Sequence, residues 1–125
     1  MTENEIATQI LDSSLKIHRA LGPGLLESVY EEALVYELSK KKIQYKRQFE
    51  IPVFYDNHKL GIGFRADLIV QDKVIVELKS VETIQPVHKK QLLTYLKITG
   101  IKLGLLLNFN ESLLKDGITR IVNGL

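Results

Sequence analysis

The spacing of apolar residues along the chain changes several times, and each change marks an element. Ile6, Ile10, Ile17 and Leu21 recur with helical period, Leu11 and Leu15 widen the stripe, and Thr2 with Glu5 has capping-box spacing. The pattern predicts a helix from about residue 2, ended by Gly22-Pro23-Gly24. A second helix is expected from Leu25 or Leu26 to about Lys42. Glu27, Glu31 and Glu32 crowd its start and Lys40, Lys41 and Lys42 its end, both of which complement the helix dipole. Leu26, Tyr30, Ala33, Leu34 and Leu38 supply its apolar face.

Strand-forming residues then take over. Residues 49–55 are β-rich, with Pro52 marking an edge strand or a bulge. Residues 56–59 read as a turn, 60–70 as a second strand loosened by Gly61 and Gly63, 71–73 as a polar connector and 74–79 as a third strand. A third helix has Pro86 in its first turn and Gly100 at its C-terminal cap. Residues 101–109 form a nearly continuous apolar run, as in a strand buried on both faces. Residues 110–117 are a polar connection and 118–122 a last short strand. The order α-α-β-β-β-α-β-β predicts an α/β fold: a mixed sheet flanked by helices, with an antiparallel meander and a parallel crossover.

Composition narrows the chemistry. The 125 residues suit one domain over 1–125. With no cysteine, disulfides, zinc-thiolate sites and cysteine-ligated Fe-S clusters are excluded, and a reducing cytoplasm is the expected location. The polar N-terminus has no signal-peptide pattern, and no apolar run is long enough to span a bilayer, so no membrane partner is expected. A net charge of +2 permits nucleic-acid contact without demanding it. Lys46-Arg47 and Lys89-Lys90 are the candidate contacts, with a solvated face as the alternative for each.

The informative positions lie on the second and third strands. Alternation puts Ile75, Glu77 and Lys79 on one face of the third strand and Arg65, Asp67 and Ile69 on one face of the second. If 71–73 is a three-residue loop, Val70 pairs with Val74 and Asp67 lies opposite Glu77. Opposed carboxylates repel, and an arrangement that selects them calls for a cation. Oxygen ligands favour magnesium or manganese. Lys79 could then stabilise charge on a phosphate or polarise the attacking water. The alternative is that these charges mark the solvent side of a half-exposed strand.

Asp67, followed by Glu77-Leu78-Lys79, resembles the motif of the PD-(D/E)XK nuclease superfamily, with Ala66 where that motif carries Pro. Gln91-Leu-Leu-Thr-Tyr95 resembles the Gln-x-x-x-Tyr motif of its RecB-type branch. Gly24-Leu-Leu-Glu27-Ser-Val-Tyr30 matches the pattern that names the GxxExxY family, a similarity extending from about Ile10 to Val122. The resemblance implies a restriction-endonuclease-like sheet. In it, Asp67, Glu77 and Glu27 hold the metal, the backbone carbonyl of Leu78 adds a ligand, Lys79 assists catalysis, and Gln91 and Tyr95 position Lys79 or a phosphate. Other roles stay open for Glu27 (a dipole contact), Tyr95 (core) and Gln91 (a solvated neighbour). Glu31, one turn on from Glu27, is a second acidic candidate. His18 is a further candidate, with a structural role as its alternative, and His58 and His88 have weaker claims. Tyr30 reads as packing.

The implied function is metal-dependent hydrolysis of phosphodiester bonds in nucleic acid, DNA ahead of RNA. A non-cleaving nucleic-acid-binding or assembly module with the same fold is the first rival. A hydrolase of small phosphorylated molecules ranks last, since the chain has neither a P-loop nor a dinucleotide fingerprint. A lone site on so small a domain grips a duplex poorly, which points to a homodimer or higher homo-oligomer.

Overall fold

Three helices and seven strands follow the apolar pattern closely. In the computed structural model, which describes all 125 residues, their order is α1 (Glu3–Leu21), α2 (Glu27–Lys40), β1 (Tyr45–Ile51), β2 (Phe54–Tyr55), β3 (His58–Lys59), β4 (Phe64–Val70), β5 (Val74–Lys79), α3 (Pro86–Thr99), β6 (Leu103–Asn108) and β7 (Ile118–Val122). A 3-10 turn (Leu114–Gly117) lies within the expected polar connection before β7. The main sheet has the order β1-β4-β5-β6-β7. Every neighbouring pair is antiparallel except β5 and β6, whose parallel pairing is bridged by α3. No helix is long and apolar enough to cross a membrane.

The capping box of Thr2 and Glu5 forms as its spacing predicts. α2 begins after Leu26, which is its N-cap and is 75% exposed. Leu26 therefore does not join the apolar face, because an N-cap side chain lies outside the helical repeat. The expected strand 49–55 is divided. β1 starts earlier, at Tyr45, and stops before Pro52, which has no N–H for a ladder. Phe54–Tyr55 instead pair with His58–Lys59 in a separate two-stranded hairpin. Its turn residues, Asp56 and Asn57, have φ of 54° and 59°, as a type I′ turn requires. The strand expected from residue 60 begins only at Phe64. Just before it, Gly63 lies so close to Ile51 that a Cβ would sit 2.6 Å from that residue's carbonyl oxygen.

The sheet has a core on each face. Ile6 and Ile10 of α1 and Tyr30, Leu34 and Leu38 of α2 pack with Leu68, Val70, Val74, Val76 and Leu78. Leu92, Tyr95 and Leu96 of α3 pack with Ile51, Ala66, Ile69, Ile75 and Leu106 on the other face. Each fully buried Leu or Ile contributes roughly 1.5–3 kcal/mol. The odd residues of β5 thus face α3, and Glu77 and Lys79 continue that row beyond Ile75.

Candidate active site

The β4–β5 ladder pairs Val70 with Val74, Ile69 with Ile75 and Leu68 with Val76, and there it ends. By count the next pair is Asp67 and Glu77, the register expected from the three-residue loop. No ladder bond forms between them. The Leu78 N–H donates instead to Asp67 Oδ2 at 2.8 Å, and the Asp67 N–H is directed at Glu77 Oε1, 3.4 Å away. The other side of β4 is distorted at the same point. Arg47 pairs with Leu68 and Phe49 with Ala66, but Gln48, between them, has a φ of 49°. Alternation lapses here as well. Ala66 and Ile69 lie in the same core cluster, with Leu68 in the opposite one. Asp67 therefore sits where regular strand geometry gives way, and it lines two cavities.

The cavity on the α3 side holds about 160 Å3 and is lined by Arg65, Asp67, Glu77, Lys79, His88, Gln91 and Tyr95 over Leu92 and Leu106. Gln91 and Tyr95 reach it together because residues four apart share a helix face. Tyr95 is also core, packing on Phe64 with ring centroids 4.9 Å apart. Glu77 is only 8% exposed. Burial, reinforced by Asp67, pushes its carboxyl up to about 9, against the opposing pull of Lys79. Burial, then Glu77 and Asp67, raise the Tyr95 hydroxyl. Lys79 is half-buried and forms no ion pair. His88 closes one rim, its Nδ1 accepting the Gln85 N–H at 3.0 Å in the cap of α3.

The second cavity lies against the start of α2 and is lined by Glu27, Ser28, Glu31, Gln48, Asp67 and Leu78. Glu27 Oε2 accepts the Ser80 N–H at 3.3 Å, and Ser80 Oγ donates to the Leu25 carbonyl at 2.7 Å. The exit of β5 is thereby tied to the α1–α2 turn. That turn bends at Gly24, whose φ of 93° disfavours any other residue. Tyr30 latches it, donating from its hydroxyl to the Gly22 carbonyl at 2.6 Å and accepting the Leu25 N–H at 3.1 Å while its ring stacks on Phe109. Gly24, Glu27 and Tyr30 thus supply a bend, a carboxylate and a latch.

Glu31 is placed differently from Glu27. Its carboxylate is buried and both oxygens are engaged, one with Arg47 Nε at 2.7 Å and one with Gln48 Nε2 at 2.6 Å. Gln48 Nε2 also lies 3.4 Å from Asp67 Oδ1, so Glu31 reaches Asp67 through Gln48. His18 is buried elsewhere, donating from Nε2 to the Glu111 carbonyl at 2.8 Å, and lines neither cavity. Arg47, though exposed, is paired with the buried Glu31 and the exposed Glu32. Lys46 pairs with Asp72 at 2.9 Å. Lys89 and Lys90 are exposed on α3 and unpaired.

Three supporting residues escaped the sequence reading. Gln48 carries no pattern that announces it, because its position depends on a local φ. Ser80 directly follows the Glu-x-Lys strand, and that adjacency was the available signal. Asn108 is fully buried at the end of β6, opposite Lys79 in the ladder. Its Oδ1 accepts the Val81 N–H at 3.1 Å and its Nδ2 donates to the Val81 carbonyl at 2.9 Å, which fastens the segment beyond Lys79. A polar residue ending an apolar run was its signal.

The donor set fits a hard divalent cation in kind. All its atoms are oxygen: the Asp67 and Glu77 carboxylates, with Glu27 and the main chain of Leu78 on the adjoining side. Two carboxylates held together, one of them buried and protonated at neutral pH, form a charge arrangement that a cation would reverse. No three acidic or imidazole side chains already converge as a ready metal cluster.

The sequence profile of the PD-(D/E)XK nuclease superfamily matches residues 4–121. No curated protein and no solved structure matches the chain.

Proposed function

This chain belongs to the PD-(D/E)XK nuclease superfamily, and from that premise we propose that it is a metal-dependent nuclease that hydrolyses phosphodiester bonds in nucleic acid, DNA ahead of RNA. The single observation behind the proposal is the broken ladder at Asp67 and Glu77, with Lys79 lining the same cavity. The motifs at Gly24–Tyr30 and Gln91–Tyr95 support a finer placement, in the GxxExxY family and on the RecB-type side of the superfamily.

Asp67, Glu77 and Glu27, with the Leu78 carbonyl, would hold magnesium or manganese. When bound, such an ion supplies a Lewis acid that lowers the pKa of water and neutralises phosphate charge. Lys79 donates to the phosphate oxygen on which charge develops. Gln91 and Tyr95 orient Lys79 or a phosphate oxygen by hydrogen bonding. Gln48, held by Glu31, orients Asp67, and Asn108 fixes the chain beyond Lys79. The exposed Lys89 and Lys90 are the basic pair best placed to meet a phosphate backbone.

A second reading, a binding or assembly module that keeps the fold without cutting, is favoured by the absence of a ready three-ligand cluster. Incubating the purified wild type, Glu77→Ala and Lys79→Ala with labelled DNA and RNA, in magnesium and in EDTA, separates the two. Magnesium-dependent cleavage by the wild type and its loss in both folded variants is the expected result. Cleavage unchanged in either variant overturns the mechanism, and nucleic-acid binding without cleavage by the wild type favours the module.

A further inference from the structure

The β2–β3 hairpin stands apart from the main sheet and has no part in the site described above. Its four paired residues match aromatic with basic: Phe54 opposes Lys59, and Tyr55 opposes His58. Directly opposed residues of an antiparallel pair project to the same face. Each face of the hairpin therefore carries one ring beside one basic side chain. The rings are open to solvent, Phe54 being 60% and Tyr55 75% exposed.

The hairpin is held in place at both ends. Asp56 and Asn57 form the tight turn, the Leu60 N–H donates to the Val53 carbonyl at 2.9 Å, and Gly63 closes its base against Ile51. Between the hairpin and the ends of β1 and β4 runs a groove lined by Lys59, Leu60, Phe64 and Arg65. Arg65 lines both this groove and the carboxylate cavity. Glu50, paired with Arg65 at 3.0 Å, is the acidic group in this groove, and the pair is exposed on both sides.

On one face of the hairpin the exposed ring of Phe54 stands beside Lys59, which lines that groove, and this pairing suits a ligand that presents an aromatic face next to an anion. A duplex keeps its bases stacked within itself and offers only phosphates outward. An unpaired strand offers both. We propose that the β2–β3 hairpin is a base-stacking platform for an unpaired nucleic-acid strand, whose phosphates pass Lys59 and Arg65 on the way to Asp67 and Glu77. The proposal rests on the nucleic-acid substrate of the preceding section and narrows it to single strands and frayed ends.

The chain has no tryptophan, so Phe54→Trp supplies a single reporter on the hairpin. Titration with an oligothymidylate in EDTA is expected to quench its fluorescence, and a duplex of equal length to bind about tenfold more weakly. In the wild-type background, Phe54→Ala weakens oligothymidylate binding about tenfold, as followed by the anisotropy of a dye-labelled strand. Phe54→Tyr, which keeps the ring, leaves binding unchanged, as does Tyr55→Ala on the opposite face. Wild-type affinity in Phe54→Ala overturns the proposal. So does a change from dimer to monomer in that variant with oligonucleotide binding intact, which would assign the hairpin to a second copy of the chain. EDTA separates this test from catalysis. Cleavage by the wild type without quenching overturns the hairpin alone, while quenching without any cleavage in magnesium leaves the hairpin standing and retires the nuclease.

Discussion

The two ends of the β4–β5 pair differ sharply over a few residues. Near the turn, Val70 and Val74, Ile69 and Ile75, and Leu68 and Val76 pair regularly, and all six are buried. One step further the ladder ends, a side-chain carboxylate takes the main-chain N–H of Leu78, and Glu77 is buried beside Asp67. The first end stabilises the fold by burial and hydrogen bonding. The second costs stability, because burying a carboxyl next to another charge is unfavourable unless a proton or a cation offsets it. A frame of buried aliphatic residues thus holds an unfavourable charge arrangement in place on the adjacent segment of the same strand pair.

That contrast can be broken most severely through activity. Lys79→Ala is expected to reduce magnesium-dependent cleavage by about 10²–10³-fold, with a folded far-ultraviolet spectrum retained, whereas a substitution at the apolar end should act on stability first. Ile75→Ala, which empties a fully buried site, is expected to cost about 2–5 kcal/mol in urea unfolding and to leave metal affinity per folded molecule unchanged.

At the polar end the sign reverses. Glu77 keeps its proton in the folded chain up to about pH 9, but loses it near 4.5 when unfolded. Between those values the folded state binds more protons, so the stability contributed by this group is complete below about pH 4.5 and is lost as pH rises through about 9. Metal-free wild type should therefore become less stable as pH rises across that window. Glu77→Gln should remove the slope, and at pH 8 in EDTA should be more stable than the wild type by on the order of a few kcal/mol. Urea unfolding at pH 5 and pH 8 checks this, and a parallel loss of stability in both proteins would contradict it. The smallest expected effect is at Gln48. Its replacement by Ala removes the link from Glu31 to Asp67 and should weaken metal affinity about tenfold, measured by manganese titration, with little change in unfolding.

The apolar end was legible in the sequence for a physical reason. Periodicity reports burial, and β5, β6 and α3 are defined by what they bury. The Asp67–Glu77 register followed from counting outward from a three-residue loop, so proximity of the carboxylates could be foreseen. The family resemblance pointed in advance to Glu27, Gln91 and Tyr95, all of which line one of the two cavities. What could not be read was how the ladder ends. That depends on the φ of Gln48 and on which acceptor the Leu78 N–H selects, neither of which is written in residue type. His18 and Arg47 show the same limit. A histidine in a helix and an arginine in a basic cluster suit a site equally well on paper, but here they are committed to Glu111 and to the glutamates of α2. The β2–β3 hairpin was hidden because Asp56-Asn57 reads as a turn of any kind, while the type I′ geometry depends on both residues adopting positive φ.

The central claim, that Asp67 and Glu77 together form a divalent-cation site, is tested most directly by calorimetric titration of manganese into the wild type and the Asp67→Asn/Glu77→Gln double variant. Two buffers of different ionisation enthalpy at pH 7 would report proton release. The wild type is expected to bind manganese and release a proton from Glu77 as it does so, and the double variant, though folded, to bind none. Manganese binding of equal affinity in the double variant, or none in the wild type, would contradict it.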